Sequence, residues 1–480
     1  MNKNHIKLIA CAIVATSALS ACSDSSKTVT KSYRSIDCEQ MLSTEQMASL
    51  TPSSSCGFLS VPEIHAIYGE PASEKNIEIA VVKLASTSSS KKSDPVVYLE
   101  GGPGGSAIAS ISRIARSATF LDERDVYLVD QRGTGYSRPA LFCTEYSGEA
   151  GTPDELRACK ARLEGLGANL NAYNSIHNAM DFIQLRKSLG IPEWNIYGIS
   201  YGTRLATTII RENNEGIRSV ILDGVFPIEV NGLSDTSWSN YESLNQILIN
   251  CNNSTDCSAI EFYNTVESIL ARMHNAGMIE ESRVFIQNLI NFSAEPTITD
   301  YLSAVNADIS SYALILEEDE SESGSENIFY NAMGLSTVCA EEYYFLGQSV
   351  LNDNSEGWSE AAQITINGMY HMGFDDISCE AWDVAGANDI EKQAVSSNLP
   401  VLILNGTNDT QTPVAWGNLV AQNLTNSQSA TNPRGGHGQL FADEACFEEL
   451  ASAFIKNPNH IVDQSCVLDI PAVSYDPLDN

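Results

Sequence analysis

The chain has 480 residues, 43% of them hydrophobic and 8% aromatic, and a formal net charge of −34 at pH 7. Such a length and apolar content suit a large domain with an insertion, or two domains, and exclude a disordered chain. A field this negative repels nucleic acid and anionic lipid and favours cationic substrates, although a solvated acidic surface, as in a salt-adapted organism, explains most of it as simply.

The N-terminus reads as a targeting segment. Lys3 and Lys7 precede a mostly apolar run, Leu8 to Leu19, that is too short for a comfortable transmembrane helix. The run ends in Leu19-Ser20-Ala21-Cys22 before a polar stretch, and resembles a bacterial lipoprotein signal. The resemblance implies removal of residues 1–21 and a lipid on the Cys22 sulfur; the alternative is a cleaved secretory peptide with Cys22 incidental. Both place the protein outside the cytoplasm, in the cell envelope (periplasm or outer membrane) or secreted, with the membrane reached only through that N-terminal lipid. Of 12 cysteines, ten remain once Cys11 and Cys22 are set aside, and an even number in an exported chain favours disulfides. Spacing suggests the local pairs Cys38 with Cys56, Cys143 with Cys159, Cys251 with Cys257, Cys339 with Cys379, and Cys446 with Cys466. With no Cys-x-x-Cys, no His-Glu-x-x-His and scattered histidines, no metal and no cofactor is expected.

Residues 22–60 are expected to be a tether, flexible to about residue 35, and a lead-in. Strands are predicted at Asn76–Leu84, Val96–Leu99 and Asp125–Val129, and a helix from Ser175 to Leu189 with Asn174 as its N-cap. Trp194–Ile199 reads as a buried strand, followed by a helix through Thr203, Leu205, Thr207 and Ile209, and then by a strand at Arg218–Val225. From about Glu229 to Asn398 the periodicity is helical, with an acidic run at Glu317–Glu326 that reads as a solvated loop. The sheet resumes at Leu399–Gly406, with a weak strand near Ser427–Thr431 and a helix from about Ala445 to Ile455. The expected division is therefore 61–228 core, 229–398 helical insertion and 399–480 core.

Between strand and helix stands Gly198-Ile199-Ser200-Tyr201-Gly202, with glycine at both positions where a side chain would collide across so tight a bend. Gly-x-Ser-x-Gly at a strand-to-helix corner is the nucleophile elbow of an α/β-hydrolase: a mostly parallel central sheet flanked by helices, here with a helical cap. Upstream, Glu100-Gly101-Gly102-Pro103-Gly104-Gly105 follows a strand. In a hydrolase its amides, at Gly102, supply half of an oxyanion hole and Tyr201 the other half. The competing dinucleotide-loop reading is weakened by the proline in the turn. Partners in this fold follow in the order serine, acid, histidine. Asp409, in the loop after the Leu399–Gly406 strand, and His437, between Gly436 and Gly438, fit that order. His437 would take the proton of Ser200, and Asp409 would fix the ring's tautomer. Asp130 and Arg132, at the end of a buried strand, are expected to brace the loops of the site.

These motifs, together with the Ser200-Tyr201-Gly202-Thr203-Arg204 elbow, Asp130-Gln131-Arg132-Gly133, Gly406–Pro413 and Cys339-Ala340-Glu341, resemble the proline iminopeptidase and tripeptidyl aminopeptidase group of α/β-hydrolase serine peptidases. The resemblance implies hydrolysis of peptides from a free N-terminus. Glu100 stands where proline iminopeptidases usually carry histidine. An exopeptidase must also hold an ammonium group, and Glu341 and Glu342 are the expected receptors. An esterase or lipase on the same triad, or a non-catalytic binding lipoprotein on the same scaffold, are the alternatives.

Overall fold

A computed structural model describes residues 32–117, 123–146, 151–313, 329–369, 375–441 and 445–476. The expectations for the leader, Cys22 and the acidic run 317–326 fall outside these residues. Nine strands form one sheet: β1 (Tyr33–Ile36), β2 (Ser55–Pro62), β3 (Asn76–Leu84), β4 (Val96–Leu99), β5 (Val126–Val129), β6 (Trp194–Ile199), β7 (Ile217–Asp223), β8 (Val401–Gly406) and β9 (Ser427–Asn432). Their spatial order is β1-β2-β3-β5-β4-β6-β7-β8-β9. β1, β2, β3 and β5 pair antiparallel, and every pairing from β5 through β4 to β9 is parallel. β4, β6 and β8 are buried along their whole length, because helices cover both faces of a parallel sheet; hence their mainly apolar runs, in which Asn195 and Asn405 are buried polar exceptions.

On one face Phe182, Leu205 and Ile209, from the helices Ser175–Ser188 and Tyr201–Glu212, pack against Val97, Ile196 and Val220 of the sheet. On the other, Phe447 and Phe454 of the helix Ala445–Lys456 and Ile111 of the helix Ile111–Ser117 pack against Tyr98, Tyr197 and Leu402. The chain leaves β4 for β5 on one side, and β6 lies on its other side. Such a reversal opens a crevice beyond the carboxyl ends of the two strands, where open α/β sheets bind ligands. Leu99 is paired with Gly198, so the glycine loop and the Ser200 corner emerge side by side.

Between β7 and β8 the described residues contribute helices and no strand of the sheet, among them Thr236–Asn252, Ala259–Asn275, Ile279–Asn291 and Asn331–Glu341. The first three bury an apolar core of their own around Phe262, Ile269, Phe285 and Leu289, which Val473 and Tyr475 of the C-terminal stretch join, whereas Asn331–Glu341 packs Met333 and Leu335 against Leu141, Leu156 and Tyr173. The five disulfides pair as the spacing suggests: Cys38–Cys56, Cys143–Cys159, Cys251–Cys257, Cys339–Cys379 and Cys446–Cys466. Among the described residues no helix is long and apolar enough to cross a membrane.

The structure departs from expectation at the lead-in. Tyr33–Ile36 and Ser55–Pro62 are strands at the antiparallel edge, β1 held in register by β2 and β2 by β3, rather than left as a tether. A further helix, Pro153–Gly165, carries a capping box between Thr152 and Glu155 and proline at its start. Thr-Pro-Asp-Glu announces that helix in the sequence.

Candidate active site

Ser200 sits at φ 55° and ψ −126°, a conformation a non-glycine residue holds only when its surroundings over-determine it. The surroundings do so on both sides. Its amide donates to the carbonyl of Asp223 on β7 at 3.0 Å, and its carbonyl accepts from the Thr203 hydroxyl at 2.6 Å. Gly202 passes so near β4 that an added Cβ would stand 2.1 Å from the Leu99 carbonyl oxygen, and one on Gly198 would stand 2.4 Å from the Gly202 oxygen. Both glycines are thus required by backbone contact.

Asp409 is buried in the loop after β8. Its Oδ1 accepts from the amides of Gln411 (3.0 Å) and Thr412 (2.8 Å), and its Oδ2 from the Thr412 hydroxyl (2.6 Å). Both oxygens lie 3.0 Å from Nδ1 of His437. That contact orients the ring and leaves Nε2 for the serine side. Burial draws the His437 pKa down, but the Asp409 carboxylate and its hydrogen bond, with Asp223 and Glu100 behind, outweigh it, so the pKa stands above the ordinary histidine value. Ser200 and His437 line one cavity of about 350 Å³, together with Glu100, Gly101, Gly102, Arg113, Phe329 and Gln411. Among the described residues the Ser200 hydroxyl makes no hydrogen bond to the ring; such bonds commonly tighten only when substrate binds.

The glycine loop after β4 borders the same cavity. The amide of Tyr201 is the first of its helix, so it has no acceptor inside that helix. Gly102 stands on the cavity wall and Tyr201 directly follows Ser200, so both expected oxyanion donors belong to elements that border the nucleophile. Asp130 braces this loop: Oδ1 takes the Ser106 hydroxyl (2.7 Å) and the Ile108 amide (3.0 Å), and Oδ2 the Tyr136 amide (2.7 Å). Arg132 braces another region, donating to Asp181 and to the carbonyls of Glu63 and Ala172.

Glu341 and Glu342 are not where the sequence expectation put them. Both are buried and neither lines the Ser200 cavity. Glu341 accepts the Ser175 amide (2.6 Å) and hydroxyl (2.9 Å), and Ser175 also meets the Tyr201 hydroxyl at 2.8 Å. Glu342 pairs with Arg204, with Lys392 (3.0 Å) and with the amide of Gly232 (2.9 Å). Arg204 further donates to the carbonyls of Pro227, Ile228 and Val230. Glu341 is thus engaged by Ser175, with Arg204 at 3.7 Å, and Glu342 by Arg204 and Lys392, so both tie the helical insertion to the core helices next to Ser200.

Two functional side chains escaped the sequence reading. Thr412 bridges acid and base, its hydroxyl lying 3.1 Å from His437 Nδ1. Asp223, at the end of β7, accepts the amides of Gln439 and Leu440, just after His437. Their signals were present: Thr412 follows Asp409 by three residues in an Asx-type turn, and Asp223 is a charge closing an apolar strand.

Comparison with known proteins finds hydrolases and peptidases. The family described as TAP-like protein matches residues 367–466, the stretch that carries Asp409 and His437. The putative hydrolase YuaR of Escherichia coli is 27% identical over 52% of the chain, which spans 53%, about half, of that relative's length. Serine protease Hip1 of Mycobacterium tuberculosis is 23% identical over 83% of the chain and 84% of its own. A proline iminopeptidase of Neisseria meningitidis is 28% identical over 38% of the chain and 43% of its own. Among solved structures, the proline iminopeptidase of Mycobacterium smegmatis covers 84% of the chain and 98% of its own at 16% identity, with a TM-score of 0.40. The sheet, the elbow and the sequence relatives together make the chain a serine hydrolase of the α/β-hydrolase fold, similar in sequence to TAP-like proteins and proline iminopeptidases.

Proposed function

We propose that the protein is an exported serine exopeptidase that removes residues or short peptides from free peptide N-termini through an acyl-enzyme on Ser200. The observation that carries the hydrolytic part is the Asp409–His437 pair, bonded at 3.0 Å and facing the cavity of Ser200. Ser200 Oγ attacks the carbonyl carbon of the scissile bond while Nε2 of His437 takes its proton. The amides of Gly102 and Tyr201 hold the resulting oxyanion. The C–N bond then breaks as His437 returns the proton to the departing amine. Water, deprotonated by the same ring, adds to the ester and frees Ser200 with the released acid. Asp409 holds the ring and stabilises its cation throughout.

The peptidase part is supported by relatives whose names are serine protease and proline iminopeptidase, one of which spans the helical insertion as well as the core. Export is supported by the apolar N-terminal run ending at Cys22 and by the five disulfides. The test is a matched pair of substrates, an amino-acid nitroanilide with a free amine and the same compound acetylated. Faster turnover of the free amine supports an aminopeptidase. Equal turnover, or hydrolysis confined to simple esters, contradicts it.

A further inference from the structure

An N-terminal exopeptidase needs an anion near its nucleophile, and with Glu341 and Glu342 sequestered the site must find one elsewhere. We infer that Glu100 is that receptor, and that it holds the α-ammonium of a substrate from which a single residue is released. The inference rests on the exopeptidase reading above and deepens it.

Among the described residues that line the Ser200 cavity, Glu100 is the one carboxylate. It stands directly before the glycine loop. Gly101, its neighbour, packs so close to the nucleophile that an added Cβ would be 2.9 Å from Ser200 Cβ. The carboxylate is fixed in place. Its Oε1 accepts the Gly101 amide at 3.0 Å, its Oε2 accepts the Ser110 hydroxyl at 2.7 Å, and the Tyr98 hydroxyl lies 3.4 Å from both. Among the described residues it is in no salt bridge, and Arg113, on the same wall, lies 3.4 Å from the Ser110 hydroxyl that Glu100 also binds. A carboxylate offers about four acceptor positions, so one held by three neutral donors on a cavity wall retains capacity for a cation. A charge-assisted bond to an ammonium group is the strong use of that capacity.

Chain geometry sets the register. In an N-terminal residue the amine is two bonds from the carbonyl carbon under attack, about 2.5 Å away given standard backbone lengths. Each further residue moves it outward by roughly 3.3–3.6 Å. Glu100 shares the cavity wall with the glycine loop and Ser200, and the register we infer from that is the short one, the amine of the residue being acylated. A tripeptide's amine would lie beyond it.

The test compares wild type, Glu100→Gln and Glu100→Asp on four nitroanilides: leucyl, acetyl-leucyl, lysyl and Leu-Ala-Ala. The readout is the ratio of kcat/KM for leucyl over acetyl-leucyl, which a general loss of folded enzyme leaves unchanged. Wild type should favour the free leucyl compound. Glu100→Gln should reduce that ratio by about 10- to 100-fold, mainly through KM, as expected for loss of a charged hydrogen bond. Glu100→Asp, which keeps the charge but withdraws it, should fall between. The lysyl and leucyl compounds should lose alike, and Leu-Ala-Ala should lose less. An equal loss on leucyl and acetyl-leucyl in a variant that still melts cooperatively would overturn the assignment, because Glu100 would then act only through the loop or the imidazole. A loss confined to the lysyl compound would overturn it too, by making Glu100 a side-chain pocket. A greater loss on Leu-Ala-Ala would overturn the single-residue register. If wild type itself ignores acetylation, the exopeptidase reading fails first, and this assignment with it.

Discussion

The carboxylate of Asp223 accepts the backbone amide of Gln439 at 2.7 Å, and with it the amide of Leu440 at 3.0 Å, so the strand beside the nucleophile holds the loop that carries His437. The same residue's carbonyl takes the amide of Ser200. Nucleophile and base are therefore positioned from a single residue, although 236 residues of chain, helical insertion included, lie between them. Asp223→Asn puts an NH2 group against an amide donor. We expect kcat to fall by about 10- to 100-fold with KM little changed, since small displacements of a catalytic ring cost that much. Steady-state kinetics beside a melting curve check this; a variant with wild-type kcat would detach Asp223 from the site.

Thr412 spans the acid and the base, donating to Asp409 at 2.6 Å and lying 3.1 Å from His437 Nδ1. Thr412→Val keeps the volume and removes the hydroxyl. A hydrogen bond to a charged group contributes about 1.5–3 kcal/mol, so kcat should fall roughly 10- to 150-fold if that bond is made fully in the transition state. Thr412→Ser should recover most of the loss. A structural role alone would lower the melting temperature and leave kcat in place.

The pH profile follows from His437. Its pKa lies above the ordinary histidine value of 6.5 because Asp409 outweighs burial, and the ring must be neutral to accept the serine proton. The acid limb of kcat/KM should therefore have its midpoint above 6.5. Asp409→Asn removes the leading cause of the rise and should move that midpoint down. Because the folded value is the higher one, the ring's contribution to stability is complete below the unfolded pKa and is lost as pH rises through the folded pKa. A limb below 6.5 in wild type would contradict this ordering.

Glu342 supplies a discriminating pair of outcomes. It is buried between Arg204 and Lys392, and removing one partner of a buried pair costs about 3–5 kcal/mol. Glu342→Ala should thus lower the melting temperature by several degrees and reduce activity on free and acetylated substrates in the same proportion. A variant of unchanged stability with KM raised only for the free amine would return Glu342 to substrate binding.

How much of this was legible in the chain depends on the range of the interaction. The elbow, the acid and the histidine could be read because their constraints are local: glycines at a corner, a carboxylate after a buried strand, and glycines beside an imidazole. β6 and β8 could be read because burial on both faces leaves a mainly apolar run. The edge strands Tyr33–Ile36 and Ser55–Pro62 could not, since their pairing partners rather than their composition make them strands. Glu341 and Glu342 misled for the same reason. Acidity is visible in sequence, but the Arg204 and Lys392 that neutralise them come from distant elements.

The central claim is that Ser200 acylates. Incubation with a fluorophosphonate probe, followed by peptide mapping, tests it most directly. A single adduct on Ser200 is expected, absent in Ser200→Ala and slowed in His437→Ala and Asp409→Asn. A folded wild-type protein that takes up no probe, or carries it on another residue, would contradict the account.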